Sequence, residues 1–512
     1  MIRMIPHVRY HRINCTDCSP IMGSEGEMNG TSSTTSKIHI FFFPFMTPGH
    51  MIPMIDMAKL FAMRGVKSTL LATPHDEPLF FRSIDRTQKL GFDIGVVTMK
   101  LPLQEVGLPE YCQNLHLVTS PDMRRKYLMA VRMLDKQFEK LVEEHHPNCV
   151  ISDMFLPWTT DIAPKYGIPR LIFHGTSHFS MGATECVRLY KPHADVSSDS
   201  ECFLIPNFPG EIAMTRAQLP DFVREETEFT KFYIEVKESE LRSYGVVVNS
   251  FYELEPAYAD HYGDVLGRRS WRVGPVSLCN KEIEDKLERG NRATINGKDC
   301  LTWLDSKETD SVVYICFGSM TKFNASQLHE IALGLEASGQ PFVWVVKKDE
   351  AVEEGKEDWL PQGYEDRMQG KGLIIRGWAP QVLILDHRAV GGFVTHCGWN
   401  STLEGISAGV PMVTWPVAAE QFYNEKFITE VLRIGAPVGV KQWMRQVGDS
   451  VKSEQVEKAV RKVMVGEEAE EMRAQARELS KMAKKAVEEG GSSHSDLMAL
   501  LEELKSPKVA GH

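Results

Sequence analysis

The sequence predicts an α/β protein made of two doubly wound domains whose parallel sheets face each other across a cleft. Short β-branched, apolar segments alternate with segments of helical spacing along the chain. Polar side chains follow several of the predicted strands directly. The length of 512 residues also exceeds one ordinary domain of about 100–200 residues, which favours two cores.

The composition excludes several classes of protein. Hydrophobic residues make up 43% and charged residues 25% of the chain, which is typical of globular domains and not of disordered or coiled-coil proteins. The formal net charge is −11 without a basic block, so we expect no nucleic-acid partner. No apolar run approaches the roughly 20 residues of a membrane helix, and no signal peptide is recognisable. Ten scattered cysteines favour reduced thiols and a cytoplasmic location.

Residues 1–36 differ from the rest of the chain. They are rich in Ser, Thr, Gly and Asn and show no periodicity, which predicts a disordered N-terminal extension. Met22 and Met28 are alternative start sites. Cys15 and Cys18 form a Cys-x-x-Cys pair, but no second pair accompanies it, so we predict no zinc site there.

The first half, residues 37–279, begins with a βαβ unit. We predict a strand at 38–43, a turn at Pro48-Gly49-His50, a helix at 51–64 and a strand at 66–72. The same alternation follows later in this half. There, a strand at 149–152 ends at Asp153, a helix covers 158–166, and a strand covers 170–173.

The second half repeats this alternation. We predict strands at 312–317, 342–346, 392–395 and 411–415, with helices at 325–337 and 399–408. The charged stretch 280–298 is the predicted linker, and 299–480 is the predicted second domain. Residues 481–512 belong to a charged helical segment that we expect to pack back across the domain interface.

Four polar residues follow predicted strands: His50, Asp153, Ser319 and His396. Ligands of doubly wound sheets bind beyond the carboxyl ends of the strands. We therefore expect these four side chains to line the cleft.

The segment from Trp378 to Gln421 contains most of the remaining candidates. The helix predicted at 399–408 would present free N–H groups and the positive end of its dipole to a diphosphate. His396 and its neighbours could donate hydrogen bonds there, and Glu404, one turn further, could accept from ribose hydroxyls. The flat face of Trp378 suits stacking on a base, at about 1–3 kcal/mol. Taken alone, each of these residues is more often structural.

This segment resembles the signature box of the plant secondary-product UDP-glycosyltransferases. Trp-Ala-Pro-Gln, His-Cys-Gly-Trp-Asn-Ser and a terminal Glu-Gln stand at the family's spacing over 44 residues. A weaker resemblance extends over residues 37 to about 500. It implies the GT-B fold of two Rossmann-like domains and a UDP-sugar as co-substrate. The donor-binding residues it implies are Ser319, Trp378, Ala379, Gln381, His396, Trp399, Asn400, Ser401, Glu404, Glu420 and Gln421.

The resemblance also implies a catalytic pair. His50 would accept the proton of the acceptor hydroxyl as it attacks the anomeric carbon, and Asp153 would hold the imidazole. Read alone, His50 is an ordinary loop histidine and Asp153 a helix N-cap. The chain contains no Asp-x-Asp pair, so we expect no metal and no other cofactor. A one-step displacement predicts inversion at the anomeric carbon.

Substrate specificity is less readable. Glu420 stands where the family more often has Asp, and Gln421 favours glucose over galactose. The acceptor is expected to be a hydroxyl or carboxyl of a hydrophobic plant metabolite. We prefer a triterpenoid sapogenin or saponin, with a flavonoid as the alternative. Residues 101–117, Trp158 and 173–181 are the predicted lining of its pocket, and a monomer is the expected state.

Two other classes of function compete with this interpretation. A nucleotide-linked oxidoreductase would need a Gly-x-Gly-x-x-Gly turn after the first strand, and the chain has Pro-Phe-Met-Thr-Pro-Gly-His there. A non-catalytic sugar-nucleotide-binding protein would keep the signature box, and measured turnover would distinguish it from an enzyme.

Overall fold

The computed structural model describes residues 37–118, 120–347, 359–444 and 451–505. The predicted extension at 1–36, with Cys15 and Cys18, lies outside these ranges, and so do residues 506–512 of the C-terminal segment. All described residues belong to one compact unit.

Fifteen strands are found in the described ranges. In chain order they are β1 His39–Phe43, β2 Lys67–Ala72, β3 Ile94–Thr98, β4 Cys149–Asp153, β5 Arg170–Phe173, β6 Cys202–Leu204, β7 Ala213–Thr215, β8 Gly245–Val248, β9 Ser270–Arg272, β10 Val312–Cys316, β11 Phe342–Val346, β12 Gly372–Arg376, β13 Val390–Thr395, β14 Met412–Thr414 and β15 Gly435–Pro437.

The strands form two parallel sheets and one small hairpin. The first sheet has the order β3-β2-β1-β4-β5-β8-β9, and the second has the order β12-β11-β10-β13-β14-β15. Every pairing in these two sheets is parallel. β6 and β7 pair as an antiparallel hairpin, which the sequence analysis did not predict. The predicted class of two Rossmann-like domains is therefore confirmed.

Helices connect the strands and cover the sheets. They are α1 Pro48–Ala62, α2 Glu77–Lys89, α3 Pro121–Arg132, α4 Asp135–His145, α5 Thr159–Ile162, α6 His178–Tyr190, α7 Asp221–Arg224, α8 Glu228–Leu241, α9 Pro256–Asp260, α10 Ile283–Leu287, α11 Gly297–Asp305, α12 Ala325–Ser338, α13 Tyr364–Arg367, α14 Gln381–Leu385, α15 Trp399–Ala408, α16 Gln421–Lys426, α17 Ser453–Met464, α18 Glu467–Val487 and α19 Ser492–Lys505.

Helix α1 begins earlier than predicted. Pro48-Gly49-His50, predicted as a turn, forms its first turn. Proline is favoured at the first helical position because its φ already suits a helix and its missing N–H would have no partner there. His50 is thus fixed on a helix rather than in a loop.

Two other predicted helices are divided. The helix predicted at 158–166 is α5 followed by a 3-10 turn at Ala163–Tyr166, which contains Pro164. The charged helical segment near the C-terminus is interrupted between α18 and α19, where Gly490 has a φ of +80°. Such a backbone conformation is easily adopted only by glycine.

The last helix returns to the first sheet. Its side chains on one face join the core beneath that sheet: Leu497, Leu500, Leu501 and Leu504. Arg272 on β9 donates from Nε to Asp496 Oδ2 at 2.6 Å. Another buried cluster contains Phe179 from the first half together with Trp399 and Phe427 from the second. The two halves therefore share hydrophobic core.

The predicted linker is folded in part. It contains α10 and the start of α11, and Arg86 of α2 holds it through Asp285, with 2.8 Å between Nε and Oδ1. The linker is thus a packed element between the two halves.

Candidate functional site

His50 and Asp153 meet at the carboxyl edge of the first sheet. Asp153 is the last residue of β4, and His50 lies in the first turn of α1, which follows the neighbouring β1. His50 Nδ1 lies 2.6 Å from Asp153 Oδ2. The carboxylate is fully buried, while 22% of the His50 side chain is exposed.

The environment favours the charged form of this histidine. Burial lowers the pKa of His50, but the charge of Asp153 and its hydrogen bond outweigh this and raise the pKa above 6.5. The charge of Glu420, from the second half of the chain, also raises the pKa of His50. The imidazolium that forms when His50 accepts a proton would therefore be stabilised.

Asp153 is held on several sides. Its Oδ1 accepts from the backbone N–H of Phe155 at 3.0 Å, so it also caps the turn after β4. The buried Arg170 donates to the carbonyl oxygen of Asp153 and to Ser152 Oγ. These contacts fix the direction in which the carboxylate addresses the imidazole.

The N-terminus of α15 faces that of α1. Asn400, in the first turn of α15, donates from Nδ2 to the carbonyl oxygen of Gly49 at 2.6 Å. Gly49 is the neighbour of His50, so one hydrogen bond joins the catalytic candidate to the helix end predicted to bind a diphosphate. Asn400 Oδ1 is buried without a hydrogen-bond partner.

His396 lies between two glycines just after β13. A Cβ on Gly318 would lie 2.6 Å from His396 Cε1, and one on Gly398 would lie 2.5 Å from its Nε2. Burial and the charge of Lys347 lower the pKa of His396 to about 4, so the ring is neutral at pH 7. Its Nδ1 is buried without a hydrogen-bond partner, as expected of a group that awaits a ligand.

The turn between β13 and α15 has a constrained backbone. Cys397 has a φ of +62° and is fully buried. Asn424 donates from Nδ2 to the carbonyl oxygen of Cys397 at 2.8 Å and accepts from Ser180 Oγ of the first half at 2.7 Å. Backbone of this kind persists where its surroundings hold it, and it is common at binding sites.

Gln381, Ser401 and Glu404 form one connected group. Gln381 Nε2 donates to Ser401 Oγ at 3.0 Å and to Glu404 Oε2 at 2.7 Å. Glu404 is only 6% exposed, so it does not lie on a solvated helix face. The structure brings these three predicted residues together.

An arginine that the sequence analysis did not single out completes this group. Arg289, from the linker, lies with Nη1 at 2.8 Å from Glu404 Oε1 and with Nε at 2.7 Å from Asp56 Oδ2. Burial lowers its pKa, but the two carboxylates outweigh this and hold the pKa well above the usual value. The sequence around Arg289 did not indicate these contacts, because Asp56 and Glu404 are far from it along the chain.

Trp378 is half-buried beside the linker. A Cβ on Gly290 would lie 2.6 Å from Trp378 Cζ2, and the Trp378 carbonyl oxygen accepts from the Thr294 backbone N–H at 2.9 Å. The indole Nε1 is buried without a hydrogen-bond partner. Ala379, which follows, is buried.

Glu420 and Gln421 lie at the start of α16. Burial raises the pKa of Glu420 above its usual range. Gln421 Oε1 accepts from the backbone N–H groups of Val417 and Ala418, both at 2.8 Å. Because the amide oxygen is engaged in this way, its Nε2 is the group that can donate to a ligand. A carboxylate and an amide donor thus sit side by side.

Trp399 and Ser319 differ in what they can offer. The Trp399 side chain is 2% exposed, and its Nε1 donates to the Asn249 carbonyl oxygen at 2.7 Å. The Trp399 indole therefore joins the two halves of the chain. Only the backbone of Trp399 can face a ligand. Ser319 is half-buried after β10 and adjoins Gly318, against which His396 packs.

Two members of the expected lining of the acceptor pocket require correction. Trp158 and Phe173 are buried in the core at 4% and 0% exposure. The aromatic side chains next to His50 are instead Phe155 and Phe45, with ring centroids 5.5 and 6.1 Å from that of His50. Phe229 and Phe232 of α8 pack near Phe155, at 6.3 and 6.1 Å. Their i, i+3 spacing on one helix face was the signal that could have found them.

The described ranges contain neither a cluster of metal-ligating side chains nor a membrane-spanning helix. No three or more His, Cys, Asp or Glu side chains are grouped there as metal ligands would be. In the same part of the chain, no helix combines the length and apolar character needed to cross a membrane.

Comparison with known proteins identifies the family. The model of the family described as "UDP-glucoronosyl and UDP-glucosyl transferase" matches residues 280–485. Scopoletin glucosyltransferase of Nicotiana tabacum is 56% identical over 93% of this chain and 100% of its own. UDP-glucose flavonoid 3-O-glucosyltransferase 7 of Fragaria ananassa is 53% identical over 94% of this chain and 99% of its own.

A solved structure agrees in fold as well. UGT73P12 of Glycyrrhiza uralensis, complexed with glycyrrhetinic acid 3-O-monoglucuronide, has a TM-score of 0.85 and 42% identity, over 92% of this chain and 96% of its own. The resemblance seen in the signature box is therefore confirmed over nearly the whole chain. The chain belongs to the plant secondary-product UDP-glycosyltransferases of family 1, and it is an enzyme of that family.

Proposed function

We propose that this enzyme transfers glucose from UDP-glucose to a hydroxyl of a flat, hydrophobic plant phenol, with inversion and without a metal. The observation that carries the proposal is the hydrogen bond from Asn400 to the Gly49 carbonyl oxygen at 2.6 Å. It brings the His50–Asp153 pair and the N-terminus of α15 to one place. A base and a diphosphate-binding helix end are the two parts that this transfer needs.

His50 is proposed as the general base. Because its Nδ1 is engaged with Asp153, Nε2 is left to take the acceptor proton. The acceptor oxygen then forms a bond to the anomeric carbon while the bond to the UDP oxygen breaks, and the electron pair leaves with UDP. Attack from the side opposite UDP converts an α-linked donor into a β-glycoside. Asp153 stabilises the imidazolium that results.

The donor is proposed to lie along the signature box. Trp378 would stack on the uracil, while Gln381 and Glu404 would bind the ribose. Ser319, His396, Asn400, Ser401 and the N-terminal N–H groups of α15 would surround the diphosphate. The unpartnered His396 Nδ1 supports this placement, because buried polar atoms normally have partners and this nitrogen of a neutral imidazole can donate to a phosphate oxygen. Electrostatic stabilisation of the departing diphosphate would come from these groups.

The sugar is proposed to lie between His50 and the start of α16. The charge of Glu420 acts on His50, which supports a location near the reacting carbon. Glu420 and the Gln421 amide could grip two sugar hydroxyls. The backbone of Trp399 and Ala379 would complete the walls of the donor site. Glucose is favoured because the tobacco and strawberry relatives are named glucosyltransferases.

The acceptor is proposed to be a coumarin-like or flavonoid phenol. Half-buried Phe155 beside His50, with half-buried Phe229 and Phe232 packed near Phe155, suits stacking on a flat aromatic ring. The names of the tobacco and strawberry relatives support this choice. A triterpenoid sapogenin, which the sequence analysis preferred, is the second candidate, because the solved Glycyrrhiza relative holds a triterpenoid glucuronide.

Two further properties are part of the proposal. The eight cysteines within the described ranges are free thiols, which supports the cytoplasm as the location. The linker at 280–298 is proposed to separate an acceptor-binding domain from a donor-binding domain, within a monomer.

The test is turnover with a defined panel. Purified enzyme would be offered UDP-glucose, UDP-galactose, UDP-glucuronic acid or UDP-xylose, each with coumarin, flavonoid and sapogenin acceptors and with chelator present. Mass spectrometry would identify products, and His50→Ala would be assayed in parallel. We expect a β-glucoside of a phenol that His50→Ala does not make. Binding of UDP without turnover of any donor–acceptor pair in the panel would instead refute the proposed choice of donor and acceptor.

A further inference from the structure

We propose that Arg289 of the linker is a positioning residue that orients Glu404 for the ribose of the UDP-sugar and connects this site to the helix that carries His50. The proposal rests on the ribose role proposed for Glu404. It adds a residue from outside the signature box to the donor site.

The contacts of Arg289 are those of a bridge. Its side chain is 10% exposed, and its guanidinium lies between two carboxylates that are 5% and 2% exposed. The Nη1 group reaches Glu404 Oε1 at 2.8 Å, and Nε reaches Asp56 Oδ2 at 2.7 Å. Arginine suits this position because its fork of donors is planar and always charged.

Glu404 needs such a partner to bind a ribose in one orientation. Its Oε2 is engaged by Gln381 and its Oε1 by Arg289, so the carboxylate is fixed at both oxygens. A carboxylate offers about four acceptor positions, which leaves about two for ribose hydroxyls. Without Arg289 the carboxylate would be held at only one oxygen, by Gln381, and its orientation would be less fixed.

The other end of the bridge leads to the catalytic helix. Asp56 lies in α1, less than two turns after His50, and its Oδ1 accepts from Asn280 Nδ2 at 2.8 Å. Lys59 of the same helix donates to Asn280 Oδ1 at 2.7 Å and to Ser83 Oγ at 3.1 Å. These side chains are all buried, so the network is screened little by solvent. Arg289 thus connects the ribose site to the base through fixed contacts.

The experiment compares UDP with 2′-deoxy-UDP by calorimetry. A hydrogen bond to a charged group predicts that the wild-type enzyme binds UDP about tenfold or more tightly than 2′-deoxy-UDP. In Arg289→Lys a single ammonium cannot hold both carboxylates, so we expect that preference to fall below about threefold. We also expect the KM for UDP-glucose to rise about fivefold or more with kcat changed less than about threefold.

Arg86→Lys is the matched control. Arg86 also holds the linker, through Asp285, but it does not contact Glu404. It should keep the preference for UDP. Thermal unfolding would verify that each variant is folded. If Arg289→Lys does not fold, Asp56→Asn takes its place, because it weakens the anchor of Arg289 and leaves Glu404 and Gln381 intact; its preference for UDP should fall at least twofold.

Each outcome decides between explanations. The proposal is supported if Arg289→Lys loses the preference for UDP over 2′-deoxy-UDP while Arg86→Lys keeps it. Where Asp56→Asn replaces Arg289→Lys, loss of the preference in that variant supports the proposal in the same way. Retention of the preference in the deciding variant, or its equal loss in Arg86→Lys, overturns the positioning role while the ribose role of Glu404 stands. Equal binding of the two nucleotides by the wild-type enzyme would refute the ribose role itself, and the inference with it.

Discussion

Replacing Asp153 by Asn tests the catalytic pair most directly. The change keeps the shape of a side chain that is fully buried but removes the charge 2.6 Å from His50 Nδ1. A hydrogen bond to a charged group is worth about 1.5–3 kcal/mol, and about 1.36 kcal/mol corresponds to a tenfold change in rate. If the bond stabilises the imidazolium in the transition state, kcat should fall about 10- to 150-fold at pH 7.

The pH dependence gives a second, independent readout of Asp153→Asn. The base must be neutral to accept a proton, so activity is lost as the pH falls through the pKa of His50. Asp153 raises that pKa, so its removal should lower it. The acidic limb of the kcat/KM profile should therefore move to lower pH in Asp153→Asn.

The assay is initial rates of UDP release between pH 5 and 9, with Asp161→Asn as the control. Asp161 lies in the same half of the chain and forms an exposed ion pair with Arg242, and such pairs are worth about 0–1 kcal/mol. The control should keep the wild-type rate and profile. An Asp153→Asn enzyme with an unchanged rate, or with its acidic limb moved to higher pH, would refute the role of the pair.

Three other predictions concern the second half of the chain. Trp378→Ala should raise the Kd for UDP about 5- to 150-fold in a calorimetric titration if the indole stacks on uracil; an unchanged Kd would contradict stacking. Gly318→Ala would place a Cβ 2.6 Å from His396 Cε1 and should weaken UDP binding about tenfold or more, whereas Gly339→Ala, with a similar φ and open surroundings, should cost only about 1–2 kcal/mol of stability. Burial raises the pKa of Glu425 to about 7, so the folded state retains a proton that the unfolded state releases near pH 4.5. In calorimetric scans, Glu425→Gln should therefore have a higher Tm than the wild-type enzyme, and this difference should be larger at pH 8 than at pH 5. An equal difference at both pH values would show that the pKa of Glu425 is not raised.

Local patterns predicted most of the sheet framework. Strands at 170–173 and 342–346 and the helix at 399–408 match the structure, because each has a periodic apolar pattern and a clear stop signal such as Gly409. The start of α1 was misplaced because Pro48 reads equally well as a turn residue and as a first helical residue. The β6–β7 hairpin was missed because each strand has only three residues.

The site was predictable where its residues adjoin in sequence or follow strands. Glu404, Gln381 and Ser401 meet as the spacing in the signature box suggests. Arg289 was not predictable, because its two partners come from helices about 230 and 115 residues away, and such contacts exist only in the folded chain. Its charge looked like that of any solvated linker residue.

The return of α19 to the first sheet determines when the protein can fold during synthesis. Leu497, Leu500, Leu501 and Leu504 complete a core whose other members are made several hundred residues earlier. While the ribosome is still synthesising the second half, the apolar surface beneath β9 has no cover. The core of the first half therefore stays incomplete until α19 has been synthesised, and a nascent chain released before that point would expose this surface to chaperones. Removing the last fourteen described residues should consequently reduce the yield of folded enzyme although the catalytic pair and the signature box are intact.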